Sequence, residues 1–528
     1  MLAPFTPDRP QALAALKSYR KKWKQKVRGF IEQILQTNRG PIDQNALLMV
    51  EELDQMIGLV ESGVVACGYY TSVIVLLEKD TDRLEHLCRL VSRVVCDLGF
   101  SCRLENLNAL EAWLGSLPSN GQANIRRPMM HTLNLADLLP MTTAWSGEPF
   151  NPSPLLPPQS PPLFQAFTHG RTAFRGNVHV NDLGNFLILG PPGAGKSTLL
   201  AFLNAQVCRY PKARVFAFDK GYSLLALCLG VDGHHYDIGE DQNLTLCPLS
   251  RIAESKAEQT WAETWIASLC EYQNFAILPH HRQAIHQAMT TLSHAHSKTL
   301  TDFVATLQDI DLRQVLKHYT LDGAMGALLD GESDNLEMKR FQVFEIGTLM
   351  ELGDKNALPV LEYLFHRIET TLDGSLAMLS IDEAWMALQH PVFREKIREW
   401  LKVFRKANVA VGLATQSISD AASSGILDVL MEACPTKIFL ANPSATTEAS
   451  SKFYRQLGLS DKQINIIANL IPKRDYYFTQ PTGKRVINLG LGPQSLCWLG
   501  VSSKDDVRAL KTLKSTNSDW RQKWVASR

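Results

Sequence analysis

The residues Gly190–Thr198 read GPPGAGKST and decide how the rest of the chain is interpreted. The apolar run NFLIL precedes them, and the helical pattern LLAFLNAQV follows them. Together they satisfy GxxxxGK[ST], the pattern of a glycine-rich loop whose backbone amides surround phosphate groups. The order strand, loop, helix places those phosphates at a helix N-terminus, where the helix dipole favours negative charge. The sequence therefore predicts a nucleoside triphosphate site at this loop.

Individual residues of the loop have expected roles in that site. Lys196 is expected to contact the β- and γ-phosphates, and the hydroxyl of Ser197 is expected to bind Mg²⁺. ATP and Mg²⁺ are therefore the predicted cofactors. The predicted nucleotide-binding residues are Gly190, Pro191, Pro192, Gly193, Ala194, Gly195, Lys196, Ser197 and Thr198.

The stretch LAMLSIDEAW, residues 376–385, has the pattern of the acidic half of such a site. Its apolar run ends at Asp382, which is expected to hold the Mg²⁺ shell together with Ser197, and Glu383 follows at once. A carboxylate beside the Mg²⁺ aspartate can orient and polarise the attacking water. We therefore expect ATP hydrolysis with Glu383 as the base. The alternative is a strand that ends in two acids without a catalytic role.

Three more residues are candidates for contact with the γ-phosphate. Gln416 lies at the end of the apolar run VGLAT, and residues at the carboxyl ends of parallel strands line the nucleotide crevice. We expect Gln416 to sense the γ-phosphate, with a buried structural glutamine as the alternative. Arg405 and Arg474 are candidates to act on a neighbouring subunit, because a planar guanidinium suits developing phosphoryl charge. A surface cation is the alternative for each arginine.

Six short apolar runs predict the fold around this site. Helical patterns separate them, and the runs are NFLILG, ARVFAFD, RFQVFEIG, LAMLSID, VAVGLATQ and TKIFLAN. Strands that are buried on both faces have such continuous runs, so the sequence predicts an α/β core with a mainly parallel sheet covered by helices. Between about residues 252 and 330 the pattern is helical without strands, which predicts an all-helical insertion.

The length of 528 residues exceeds what one core usually holds, and a proline-rich stretch divides the chain. We predict that residues 147–163 form an extended linker, because proline fixes φ and removes backbone donors. Residues 1–146 are predicted to form a smaller α+β domain, in which YYTSVIVLLEKD is a strand. Residues 164–528 are predicted to form the nucleotide-binding domain.

Composition and charge limit the classes of partner and compartment. The chain has 54 basic and 53 acidic residues and a net charge of +1, so bulk charge does not predict a nucleic-acid or membrane partner. Ten cysteines without a CxxC pair indicate a reduced, cytoplasmic protein. The amino terminus lacks the pattern of a signal peptide, and no apolar run reaches the roughly 18 residues of a membrane span. The expected metal ligands do not include a histidine cluster, since no metal-binding spacing fits the histidines at 280, 281, 286, 294 and 296.

The order of these motifs resembles that of a known family. The stretches GPPGAGKSTLL, VFAFDKGYS, FQVFEIGTLM, LSIDEAW, FRKANVAVGLATQS and KRDYYF are arranged as in the type IV secretion and conjugal transfer ATPases of the TrbE kind, within the wider FtsK/HerA group of motors. ESGVVACGYYTSVIVL and NLADLLPMTTAWSGEP extend the resemblance upstream, so that it covers most of the chain. Members of the family have a longer N-terminal domain, and residues 1–146 resemble only its last portion.

The resemblance implies a RecA-like P-loop ATPase core that works as a ring, with a hexamer as its active form. It implies a peripheral position at the cytoplasmic face of a bacterial inner membrane and other type IV secretion components as partners. The implied function is a motor that energises pilus assembly and the transfer of DNA or protein. Two alternatives stay open: a DNA-translocating ATPase of the coupling-protein type, and a scaffold that binds ATP without turnover.

Overall fold

The computed structural model describes residues 7–27, 43–117, 120, 123, 125–138, 145–241, 244–383, 391–416 and 427–528. The chain folds into two compact units, Met1–Ala144 and Trp145–Arg528. None of the helices in the described ranges is both long and apolar enough to cross a bilayer.

The first unit is a small α+β assembly. Its two strands, β1 (Cys67–Tyr69) and β2 (Met129–His131), pair antiparallel. Its helices are Arg9–Lys26, Gln44–Ser62, Thr81–Asp97, Ala109–Ser116 and Thr132–Leu138. The strand predicted for YYTSVIVLLEKD is wrong, because the strand ends at Tyr69, where β2 offers no further residues for pairing.

The second unit is built on one sheet of eleven strands. They are β3 (Phe164–Thr168), β4 (Ala173–Gly176), β5 (Phe186–Leu189), β6 (Arg214–Asp219), β7 (His234–Asp237), β8 (Phe341–Glu345), β9 (Ala377–Ile381), β10 (Val409–Thr415), β11 (Thr436–Leu440), β12 (Asp475–Gln480) and β13 (Gly483–Asn488). Their order across the sheet is β4-β3-β13-β12-β11-β5-β10-β9-β6-β8-β7. The seven strands from β11 to β7 are parallel, and the other four extend the sheet with antiparallel pairs. This sheet confirms the predicted fold class.

The parallel strands are buried on both faces, as their continuous apolar runs predict. In β5, Leu187 and Leu189 belong to one hydrophobic cluster, whereas Phe186 and Ile188 belong to another. Successive side chains of a strand point to opposite faces, so each cluster fills one side of the sheet. Helices therefore have to cover both faces.

The covering helices fall into three groups along the second unit. Those before residue 252 are Lys196–Val207 and Leu225–Gly230. Residues 252–330 contain helices and turns but no strand: Lys256–Tyr272, Pro279–Ser293, Leu300–Thr306, Ile310–Leu316, Lys317–Tyr319 and Gly326–Leu329. The remaining helices are Gly347–Glu351, Asp354–Thr370, Pro391–Val403, Phe404–Ala407, Leu427–Ala433, Glu448–Gln456, Asp461–Ala468, Pro493–Leu499, Lys504–Thr516 and Trp520–Ala526.

The proline-rich stretch, residues 147–163, packs within the second unit instead of forming a free linker. The side-chain amide of Asn151 donates a hydrogen bond to the hydroxyl of Tyr210 at 3.0 Å. That hydroxyl donates to the carbonyl of Pro161 at 2.7 Å, and Arg209 donates to the carbonyl of Leu163 at 3.1 Å. Carbonyl groups in this segment thus find donors on the second unit.

The strand register brings the carboxyl ends of the parallel strands to one edge of the sheet. Leu189 of β5 lies opposite Thr415 of β10, and Leu413 of β10 lies opposite Ile381 of β9. The residues that follow these three strands therefore share that edge: Gly190, Gln416 and Asp382.

Candidate nucleotide site

The glycine-rich loop has backbone angles that side chains would disturb. Gly193 and Gly195 have φ of 75° and 100°, in the region that residues with a Cβ rarely adopt. A Cβ on Gly195 would lie 3.2 Å from Cα of Lys473, and one on Gly190 would lie 2.5 Å from Cβ of Leu440. The loop is therefore compact and supported by neighbouring elements, as a phosphate cradle requires.

The turn before β12 supports the loop from the same chain. The backbone N–H of Lys473 donates to the carbonyl of Ala194 at 3.0 Å, and Lys473 has a φ of 62°. Arg474, the next residue, is exposed, and its N–H donates to the carbonyl of Ile471 at 3.2 Å. Lys473 was not predicted as part of the site, because no local pattern marks a contact with so distant a residue.

Lys196, the first residue of the following helix, is buried between two carboxylates. Its Nζ lies 3.0 Å from Oδ1 of Asp382 and 2.7 Å from Oε1 of Glu383. The side chains of Lys196 and Asp382 are 5% and 3% exposed, so water screens this cluster weakly. The structure thus brings the predicted lysine and the predicted acidic pair together.

The hydroxyl of Ser197 donates to Oδ2 of Asp382 at 3.0 Å. A serine hydroxyl and a carboxylate are the hard oxygen ligands that Mg²⁺ prefers, in combination with phosphate oxygens and water. The donor set and its compact geometry therefore fit Mg²⁺, which Ser197 and Asp382 would hold.

Glu383 and Gln416 are neighbours at this edge of the sheet. The side-chain amide of Gln416 donates to Oε1 of Glu383, and the N–H of Glu383 donates to Oδ1 of Asp382 at 2.9 Å. Glu383 has a φ of 52°, which is unusual for a residue with a side chain and is a form of backbone strain that occurs at functional sites. The remainder of the quoted motifs, including Trp385 and Ser417, lies outside the described residues.

Two further acids end the adjacent strands β6 and β8. Asp219 is fully buried and accepts hydrogen bonds from the hydroxyl of Ser223 and the N–H of Leu224, each at 2.7 Å. Burial, then the nearby carboxylate of Glu345, raises the pKa of Asp219 to about 7.

Glu345 organises the loop that follows β6. Its carboxylate accepts the backbone N–H groups of Gly221 at 2.9 Å and Tyr222 at 2.7 Å. Burial raises its pKa, although these two hydrogen bonds oppose the rise. The sequence signal that could have identified it is the same as for Asp382: an acid at the end of a buried apolar run.

Arg405 lies away from this edge. It is exposed in the short helical turn Phe404–Ala407, which precedes β10 and therefore lies at the opposite end of that strand from Gln416. Its side chain is thus remote from the loop of its own chain.

One group of metal-type ligands lies in the helical segment, where His280, His281 and Asp309 have ligand atoms within 4.8 Å of one another. Nδ1 of His281 accepts the N–H of Leu278 at 3.1 Å, which places the proton of a neutral ring on Nε2. A protonated Nε2 offers no lone pair to a metal. This hydrogen bond disfavours metal binding by the group.

A phosphate-type loop between a strand and a helix, with its lysine and serine facing an acid pair from a parallel neighbour strand, defines a P-loop ATPase. Two family profiles agree with that class. Residues 8–126 match the CagE, TrbE, VirB family, component of type IV transporter system, and residues 283–480 match the TraG P-loop domain.

The chain belongs to the TrbE family of conjugal transfer proteins, as the resemblance of its motifs predicts. It is 48% identical over 527 residues to a probable conjugal transfer protein TrbE of Sinorhizobium fredii, covering 99% of this chain and 79% of that protein. It is 47% identical over 529 residues to the conjugal transfer protein TrbE of Rhizobium radiobacter, covering 99% of this chain but only 64% of that protein. The structure of VirB4 of Thermoanaerobacter pseudethanolicus has the same fold, with a TM-score of 0.50 and 17% identity over 63% of this chain and 98% of that one.

Proposed function

We propose that this chain hydrolyses MgATP as the motor of a conjugative transfer or type IV secretion apparatus. The observation that carries the proposal is the contact between Lys196 and Glu383, which are 187 residues apart in sequence but 2.7 Å apart in the structure. Such a convergence at the carboxyl edge of a parallel sheet is what phosphoryl transfer from a bound nucleotide needs.

The paired charges explain how a triphosphate would bind. Lys196 now has both carboxylates as partners, and the phosphates of ATP would take over part of that role while the loop amides Gly193–Lys196 surround them. This exchange would release Glu383 from Lys196 to accept a proton from water. Bound Mg²⁺, held by Ser197 and Asp382, would neutralise phosphate charge.

The residues around Glu383 have supporting roles in the proposal. Gln416 already donates to Glu383, so it can orient that carboxylate as well as sense the γ-phosphate. Arg405 is a candidate to reach the γ-phosphate of a neighbouring subunit, because it is exposed at the other end of β10. We infer a hexameric ring for the working form, peripheral to the inner membrane and in contact with other secretion components and the transferred DNA or protein.

The test is Glu383→Gln in the full chain. We expect ATP to bind with unaltered affinity but phosphate release to slow by about 100-fold or more, since a glutamine cannot take a proton. Binding would be followed with a fluorescent ATP analogue and turnover as phosphate released. The matched control is Glu332→Gln, an exposed glutamate of the same unit, which should leave both unchanged. Unaltered turnover in the Glu383 variant would remove this residue from the mechanism, and an unaltered chain that binds ATP but never turns it over would indicate a scaffold.

A further inference from the structure

The first unit exposes a run of large apolar side chains, which we call the apolar face. Its members are exposed by 49% to 98%: Leu90, Val94, Leu98, Phe100, Leu104 and Leu107. Exposed apolar residues normally occur singly on a soluble protein, and a concentration of them marks a surface that another molecule covers.

The helix Thr81–Asp97 contributes the first section of this face. It has 17 residues and none of them is buried. Leu90, Val94 and Leu98 are spaced by four, so they lie on one side of the helix. Helices in proteins owe most of their stability to packing of an apolar side, which this stripe does not obtain from the described residues.

The segment just before this helix also has an unfilled capacity for pairing. Residues 71–78 read TSVIVLLE, a composition typical of strands, and they form no strand in the described structure. Ile74 and Leu77 are both well exposed. An extended apolar segment without a partner strand is a template for strand addition.

Charge on the helix argues against a lipid surface as the occupant. Arg89 pairs with Glu85 at 2.9 Å, and Arg83 pairs with Glu78 at 3.2 Å. Attraction to anionic lipid requires an excess of unpaired basic residues beside the apolar side. A polypeptide that supplies both a strand and an apolar surface fits better.

The lengths of the relatives indicate which polypeptide this is. The apolar face lies within residues 8–126, the region matched by the CagE, TrbE, VirB family. The match to TrbE of Rhizobium radiobacter takes in 99% of this chain and 64% of that protein, so a large region of the relative has no counterpart in these residues. We propose that the apolar face binds that unmatched region, which adds a strand to residues 71–78 and covers Leu98 and Leu107.

The test co-expresses the full chain with the unmatched region of Rhizobium radiobacter TrbE as a separate polypeptide. We expect the two to purify together and a photo-crosslinking amino acid at position 107 to join them. Leu98→Ser and Leu107→Ser should each weaken the complex by about tenfold or more, as loss of a buried apolar anchor does. Leu48→Ser, at an exposed position on another helix of the same unit, is the matched control.

Three results would overturn the proposal. They are failure of the two polypeptides to purify together, equal binding by all three serine variants, and crosslinks from position 107 only to lipid or to a second copy of the chain. The thermal midpoint and ATP turnover of each variant serve as folding controls. These readouts do not depend on Glu383, so the outcome is separable from the test of ATP hydrolysis.

Discussion

The carboxyl group of Asp219 connects the stability of the nucleotide-binding unit to pH. Burial, together with the carboxylates of Glu345 and Asp382, raises its folded-state pKa to about 7, whereas an unfolded aspartate has a pKa of about 3.9. Because the folded value is the higher one, the group contributes most to stability below the unfolded pKa. That contribution is lost as the pH rises toward about 7.

We predict that Asp219→Asn removes this dependence. Asparagine cannot ionise, so the thermal midpoint of the variant minus that of the unaltered chain should increase by at least about 2 °C between about pH 5 and about pH 8. The variant starts from a lower midpoint, since its amide nitrogen cannot accept the hydrogen bonds of both Ser223 and Leu224. Scanning calorimetry at the two pH values measures the difference. Asp322→Asn, at an exposed site, should show none, and a constant difference for Asp219→Asn would contradict the assignment.

At the scale of elements, the loop between β5 and the following helix depends on Gly195. A methyl group there meets two penalties: a φ of 100° and a distance of 3.2 Å to Cα of Lys473. The second penalty moves backbone against backbone, so the turn that supports the loop has to shift. Gly374 has a φ of 84° but open space around its Cβ position, and it separates the two penalties.

We predict that Gly195→Ala weakens binding of a fluorescent ATP analogue by about tenfold or more, because strained positions of this kind cost about 1–3 kcal/mol. Gly374→Ala should lower the thermal midpoint through backbone strain and leave nucleotide affinity unchanged. Equal affinity of the two variants would mean that the contact between the loop and Lys473 does not shape the site.

The elements that could be predicted from sequence are those whose local pattern is complete. β6, RVFAFD, is buried on both faces and so forms an unbroken apolar run. β7, HHYD, lies at the edge of the sheet, where polar side chains are tolerated, and no apolar run marked it. The support that Lys473 gives to Ala194 joins residues far apart along the chain, and neither local pattern contains the other. Lys196 and Asp382 could be predicted because each ends or begins an element with its own recognisable pattern.

At the scale of the whole molecule, the two candidate arginines are in different positions relative to the site. The turn of Arg474 is held against the loop of the same chain through Lys473, whereas Arg405 lies at the opposite end of β10 from Gln416. A residue at that opposite end can complete a site only in another copy of the chain. The structure therefore favours Arg405 for action between subunits and Arg474 for action within one.

Mixing two inactive variants tests this assignment. In a ring, Lys196→Ala removes phosphate binding from its own subunit but leaves Arg405 to serve a neighbour, and Arg405→Ala has the converse defect. Random mixing in equal amounts should restore about a quarter of the sites, since each needs an intact lysine and an intact neighbouring arginine. Phosphate release by each variant alone and by the mixture, over a range of protein concentrations, measures the recovery. Lys406→Ala, beside Arg405 and also exposed, should be active alone. Recovery with Arg474→Ala in place of Arg405→Ala would reverse the two roles, because a residue that acts within its own subunit cannot be supplied by a partner.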